Sequence, residues 1–161
     1  MSEIQAPASA AAETDEGVAD YVTVRLGGQE FGIPIFAVYD ILNEQRMTPV
    51  ALASEEIAGV MNIRGRIVTA IDARRRFGLP KRAEEHTMNV VVHYKGEPYS
   101  LVVDAVGDVR PIGSESFEAN PPNINPAWAE LCDGVHRLEG GLLLILNVDR
   151  LVGGVVAGKA A

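Results

Sequence analysis

The chain has 161 residues, which suits one compact unit or two small, closely packed ones, and its apolar content of 47% is that of an ordinary globular protein. A formal net charge of −8 argues against a generic nucleic-acid binder, which needs a positive field. The single cysteine, Cys132, cannot form an internal disulfide and fits a reducing compartment.

Residues 1–17 are rich in Ala, Ser, Pro and acids and lack the basic and apolar regions of a leader peptide, so they read as a disordered tail. Ordered chain is expected from about Tyr21. The alternating, β-forming run Tyr21–Leu26 predicts a strand, Gly27-Gly28 a hairpin turn, and Gln29–Ile35 the return strand. Pro34 has no N–H to give a ladder, so that strand should end or lie on an edge there. Phe36–Leu42 fits a strand or a short helical turn, and Pro49–Glu56 a loop with at most one helical turn. Gly59–Ile63 and Arg66–Ile71 read as strands joined at Arg64-Gly65. Asp72 then stands as N-cap of a short helix that Gly78 and Pro80 stop.

A second set of strands follows at Asn89–Tyr94, Glu97–Val103 and Val106–Ile112. Gly113–Pro126 is a polar, Pro-rich loop. Cys132–Leu138 and Leu142–Leu146 form a last hairpin, Asn147–Val152 a closing helical turn, and 153–161 a flexible tail. No apolar run reaches the roughly 18 residues of a spanning helix, so direct membrane insertion is not expected and the expected address is the cytoplasm.

The two sets match each other. Gly28–Ile33 aligns with Gly96–Leu101, and Ala37–Ile41 with Ala105–Val109, at an offset of 68 residues. Gly59–Gly65 aligns with Gly134–Gly140, continuing through Ile67, Ile71 and Asp72 to Leu142, Leu146 and Asn147, at an offset of 75. The extra residues fall in the Pro-rich loop. The pattern is a degenerate duplication of about five short strands and a helical turn, and closure into small barrels is how such strands avoid exposed edges.

Catalytic patterns are missing from the sequence: Gly27–Gly32 lacks dinucleotide-fingerprint spacing, and there is no phosphate-binding loop, nucleophile elbow or His-Glu-x-x-His. No cofactor or metal is expected. Cys132 reads as a small buried apolar residue and His86, His93 and His136 as surface or strand-edge histidines. Asp104 and Asp108 fit turn chemistry better than an acid–base pair. Arg64, Arg66, Arg74, Arg75, Arg76, Lys81 and Arg82 cluster in sequence, and could form a solvated face or bind nucleic acid or an acidic protein. Arg64, at a hairpin tip after Asn62-Ile63, stands out as a protein-contact anchor.

Four segments in this order resemble the CheW-like domain family: Phe31–Ile41, Gly59–Gly65 with Ile67–Asp72, Val102–Val109 and Leu143–Asn147. The resemblance covers nearly all of Tyr21–Val152. It implies a mainly β fold of two SH3-like five-stranded barrels (about 18–80 and 86–152, with the chain free to cross back between them) within a domain spanning 18–152. It implies no catalysis. It implies an adaptor that joins the signalling tip of methyl-accepting chemotaxis receptors, lying in a groove between the barrels, to the chemotaxis histidine kinase, whose homologous regulatory domain docks on barrel ends, in arrays at the inner face of the membrane. Val38, Asp40, Gly59, Asn62, Arg64 and Val109 match positions associated with that coupling. Two departures are notable: Asp40 where Glu is common, and Ala73 where Leu is usual. The same adaptor role in a non-motility chemosensory-like pathway is the nearest alternative, and a small-ligand or nucleic-acid-binding barrel the more distant one.

Overall fold

A computed structural model of the chain describes residues 17–80 and 86–160. Its strands are β1 (Val18–Leu26), β2 (Gln29–Pro34), β3 (Asp40–Leu42), β4 (Ile57–Ile63), β5 (Arg66–Asp72), β6 (Met88–Tyr94), β7 (Glu97–Val103), β8 (Ala105–Gly113), β9 (Phe117–Glu118), β10 (Cys132–Leu138) and β11 (Gly141–Leu146). Three α-helices, α1 (Ala73–Arg76), α2 (Pro126–Ala129) and α3 (Val148–Ala160), and two 3-10 turns, Ile35–Ala37 and Ser114–Ser116, complete it. The expected tail lies, up to residue 16, outside the described residues, as do Lys81 and Arg82.

The strands form two packed sheets, in the orders β8-β1-β2-β11-β10-β9 and β3-β6-β7-β5-β4. The fold is the expected pair of small β-barrel subdomains, here called the first and second barrel. The sequence offsets equate β1, β2, β3, β4 and β5 with β6, β7, β8, β10 and β11. Applying those equivalences to β8-β1-β2-β11-β10 reproduces β3-β6-β7-β5-β4. The duplication is therefore real in three dimensions, and its halves are interlaced. Each barrel takes its hairpin β1–β2 or β6–β7 from one half and its other strands from the other half. The repeats divide between Asp72 and Met88, and each barrel draws strands from both.

The crossed arrangement accounts for the near-continuous apolar strands. In β1, Ala19 and Tyr21 fill the first barrel with Ile112, Leu143 and Ile145, while Val22, Val24 and Leu26 face the other way. In the second barrel Met61, Val68, Ala70 and Val102 make the interior, and Ile71, Val90, Val92, Leu101 and Val103 face outward. The outward sets meet Phe31, Phe77 and Leu151 in one shared core. In β1, β2, β6, β7 and β11 alternation persists but both faces are largely covered, whereas β3 and β8 stand at sheet edges with exposed residues.

Three hairpins use the same two-residue turn with both central residues at positive φ, as twisted strands require: Gly27-Gly28 (58°, 89°), Arg64-Gly65 (52°, 84°) and Lys95-Gly96 (51°, 81°). Asp72 caps α1 as expected, its Oδ1 accepting from the Arg74 N–H at 3.0 Å. Pro34 ends β2, beyond the two residues, Phe31 and Gly32, at which β11 pairs with that strand.

Three expectations need correction. The Pro-rich loop holds β9, which pairs with β10 at Val135 and His136. The tail read as flexible from residue 153 is helix as far as Ala160. Its Leu151, Val152 and Val155 are buried in the shared core. Gly153 and Gly154 suit that helix because Tyr94 and Arg76 pack where a Cβ would stand. Finally, His136 is not a surface histidine: it is 1% exposed, with Nδ1 2.7 Å from Ser116 Oγ and Nε2 3.2 Å from Tyr21 Oη.

Candidate functional site

A concavity at the mouth of the second barrel is lined by Tyr39, Asp40, Arg64, Arg66, His93 and Pro98 over Ile63, Val68 and Val91. The β4–β5 turn carries Arg64 at its tip, and Asn62 Oδ1 fixes that turn by accepting the Gly65 N–H at 2.9 Å. Arg64 adopts φ 52°, the left-handed conformation its two-residue turn requires, as Lys95 does at 51° in the β6–β7 turn. Its Nη1 donates to Asp40 Oδ2 at 2.9 Å. The ion pair bridges the two edge strands of this sheet, β3 and the β4–β5 hairpin, across the barrel opening. The shorter Asp at position 40 therefore still reaches its partner.

Asp40 Oδ1 accepts the Ile41 N–H at 2.8 Å. The Arg64 hydrogen bond first, and the Ile41 N–H second, hold the Asp40 carboxyl below the usual carboxylate range. The guanidinium itself stays in solvent, with the Arg64 side chain 71% exposed. Beside it Tyr39, 66% exposed, stacks on His93 at a centroid distance of 4.3 Å.

The six sequence-predicted residues divide by role. Asp40, Asn62 and Arg64 come together at this mouth. Gly59 lies at the far end of β4, at a β-bulge, where an added Cβ would stand 2.6 Å from the Thr48 carbonyl oxygen. It is a backbone device that admits the Thr48–Val60 bridge. Its repeat mate Gly134 does the same for β9, with Glu118 O 2.5 Å from an added Cβ. Val38 is half-buried against the shared core. Val109 is on β8, at an edge of the first barrel, paired with Val22 and 48% exposed. It is the repeat mate of Ile41 on edge strand β3, which is also exposed, as is Ile35 on the 3-10 turn that packs against β1.

Tyr39, Arg66 and His93 were not singled out as site residues from sequence. Tyr39 sat within a matched motif, and an aromatic followed by an acid at a strand start was the available signal. The basic run is largely neutralised: Arg74 meets Asp104 at 2.9 Å, Arg75 meets Glu55 at 3.6 Å and Arg76 meets Glu56 at 3.7 Å. Among the described residues the run is thus broken up by carboxylates, unlike the continuous positive stripe of a nucleic-acid binder. Asp104 and Asp108 do not pair: Asp104 binds Arg74 and the Gly27 N–H, and Asp108 is an exposed β8 residue. Cys132 is buried, and burial, with Asp133 adding to it, pushes its thiol up to about 12, which denies it nucleophilic character. No cluster of three or more potential metal ligands occurs among the described residues, and none of their helices is long and apolar enough to cross a membrane.

Comparison with known proteins places the fold. The CheW-like domain model matches residues 20–155. A chemotaxis protein CheW of Rhizobium meliloti is 28% identical over 143 residues, covering 88% of this chain and 92% of the relative. One from Klebsiella aerogenes is 28% identical over 134 residues, covering 83% and 81%. The protein PilI of Pseudomonas aeruginosa is 27% identical over 118 residues, covering 71% and 65%. The crystal structure of the scaffolding protein TtCheW from Thermoanaerobacter tengcongensis superposes with a TM-score of 0.75 at 28% identity, covering 82% of this chain and 90% of that one. With two interlaced barrels, matching motifs in order and a family model spanning most of its length, the chain belongs to the CheW-like domain family.

Proposed function

We propose that this CheW-family scaffold is a non-catalytic adaptor that couples the signalling tips of methyl-accepting chemotaxis receptors to the chemotaxis histidine kinase, at receptor arrays on the inner face of the membrane. The observation that carries the reading is Arg64: Asp40 and Asn62 hold it at a hairpin tip, with its side chain 71% exposed at the barrel mouth. Fixed, exposed charges of this kind steer encounter and reject wrong partners more than they add affinity. A receptor tip is a helical hairpin, and its apolar stripe suits the exposed Ile35, Ile41 and Val109 in a helix-in-groove mode. The kinase's regulatory domain, homologous to this fold, docks on the barrel mouth that Arg64 guards. Weak single contacts suffice because an array repeats them.

The test is a pull-down of the purified chain against the regulatory domain of its chemotaxis kinase and a receptor signalling-tip fragment, with Arg64→Glu in parallel. Binding of both fragments by the wild type, weakened by the substitution in a variant whose circular dichroism is unchanged, supports the coupling role. A folded wild type that binds neither fragment refutes it.

A further inference from the structure

The chain passes between the barrels twice. Residues 35–39 lead from β2 of the first barrel to β3 of the second, and Asp104 alone leads from β7 of the second to β8 of the first. Each crossing runs straight into an edge strand, and those two edge strands carry the exposed Ile41 and Val109. The angle between the barrels therefore sets how Ile41 and Val109 stand relative to each other.

The duplication makes the two crossings equivalent, because the offset of 68 residues pairs Phe36 with Asp104 and the offset of 75 pairs Asp149 with Arg74. Their two corners of the seam are nonetheless closed differently. At the Asp104 corner, Oδ1 accepts from Arg74 Nε at 2.9 Å and Oδ2 accepts the Gly27 N–H at 2.9 Å, while the Asp104 N–H donates to Arg25 O at 3.1 Å. One carboxylate thus joins the β1–β2 turn of the first barrel to the α1 segment that follows β5 of the second. Both side chains are mostly covered, Arg74 17% and Asp104 15% exposed, so the contact is little screened by solvent.

At the other corner the Asp–Arg pair is missing. The Phe36 ring is exposed, and the Asp149 side chain makes no hydrogen bond or ion pair to any described residue. Both line a cavity of about 180 Å³ walled by Pro34, Leu146 and Val148 of the first-barrel side and His93 of the second. Those four are the repeat mates of Val102, Ile71, Ala73 and Arg25, so the cavity occupies the place that the Asp104–Arg74 pair fills. Elsewhere the seam is largely apolar core, which opposes separation but has no preferred direction. The other polar ties, Trp128 Nε1–H to Phe77 O and Arg76 Nε–H to Leu151 O, also gather around α1.

We propose that Asp104 and Arg74 form a positioning clasp that fixes the angle between the two barrels, and that the open corner between Phe36 and Asp149 is where that angle changes. A receptor tip that touches Ile35, Ile41 and Val109 spans both barrels and reads the angle. A partner held at one barrel mouth does not. For its effect on receptor binding, the inference rests on the coupling role proposed above.

The experiment places spin labels at Glu97→Cys and Glu139→Cys, exposed positions in the second and first barrel, and measures their separation by pulsed electron paramagnetic resonance; Cys132, 1% exposed, stays unlabelled. Asp104→Asn and Arg74→Gln should each broaden the distance distribution while circular dichroism stays that of the wild type. Phe36→Arg, which sets a guanidinium against Asp149, should narrow it. In calorimetric titrations the two clasp variants should weaken receptor-tip binding by about tenfold and leave kinase-domain binding within about twofold. A distribution unchanged in both clasp variants overturns the proposal. So does an equal loss of both partners, which would mark general loosening instead of a positioning role. A wild type that binds neither fragment removes the coupling role and leaves the clasp to be decided by the distances.

Discussion

Gly59→Ala tests whether a residue expected to contact partners acts instead through the backbone. The new Cβ would lie 2.6 Å from the Thr48 carbonyl oxygen and 3.1 Å from its carbon, and both belong to main chain that no rotamer change can move. Relief requires the Thr48 segment to move away from β4. That breaks the reciprocal pair of hydrogen bonds Thr48 N–H to Val60 O (2.8 Å) and Val60 N–H to Thr48 O (2.9 Å). Two net backbone bonds at about 1 kcal/mol each, with an overpacking term of about 1–2 kcal/mol, give a loss of about 3–4 kcal/mol. With a urea slope of about 2 kcal/mol/M, the midpoint should fall by about 1.5–2 M.

Gly65→Ala is the control. Gly65 also has positive φ, at 84°, but nothing lies within 4 Å of an added Cβ, so only the backbone term of about 1–2 kcal/mol applies. Urea melts followed by circular dichroism compare the two, and hydrogen exchange at Thr48 and Val60 localises the damage. A Gly59→Ala midpoint no lower than that of Gly65→Ala would refute the clash argument. Loss of partner binding at wild-type stability would return Gly59 to the contact surface.

Asp104→Asn should destabilise the chain by about 1 kcal/mol in urea melts, because it removes the carboxylate that the half-buried Arg74 guanidinium meets at 2.9 Å while Arg74 also holds Pro80 O. Stability should fall in mild acid through His136: burial lowers its folded-state pKa, with Glu115 opposing, so its contribution is complete above the unfolded value of about 6.5 and erodes as pH drops below it. In His136→Gln melts at a series of pH values, that slope should flatten. A slope unchanged by the substitution would assign the acid sensitivity to other groups. Trp128→Phe should cost about 1 kcal/mol, since the Trp128 Nε1–H donates to Phe77 O at 2.8 Å and its ring packs edge-on to Phe77.

Much of this fold was legible because it is built from local devices. A two-residue turn ending in Gly between apolar runs announces a hairpin whatever surrounds it, and Asp72 before Ala73 announces a helix start. The duplication told which segments are equivalent. It did not tell which sheet each one joins, since β1–β2 and β6–β7 carry apolar residues on both faces and fit either barrel by pattern alone. Helix α3 was misjudged because Gly153-Gly154 reads as fraying. The two glycines instead make room for the Tyr94 ring and the Arg76 guanidinium, which donates to Leu151 O at 2.9 Å, and no local rule exposes that contact. His136 was misplaced for a similar reason. Its partners Tyr21 and Ser116 lie 115 and 20 residues away, and only the closed barrel brings them together.

The same contrast bears on the candidate site. The two repeats share their main-chain devices: the positive-φ turns at Gly27-Gly28 and Lys95-Gly96, and the bulge glycines Gly59 and Gly134 that admit a further strand or bridge. They differ where side chains leave the barrel mouths, Arg64 against Glu139 and Arg66 against Gly141. Backbone closure imposes one solution on both barrels, because an unpaired edge or a blocked bulge costs stability in either. The mouths carry no such constraint and are free to differ in charge. A partner that reads side chains at these ends would meet Arg64 at one and Glu139 at the other. The motif around Arg64 was therefore readable as a family mark. The placement of Arg66 beside His93 became visible only once the closed barrel brought β5 and β6 to one mouth.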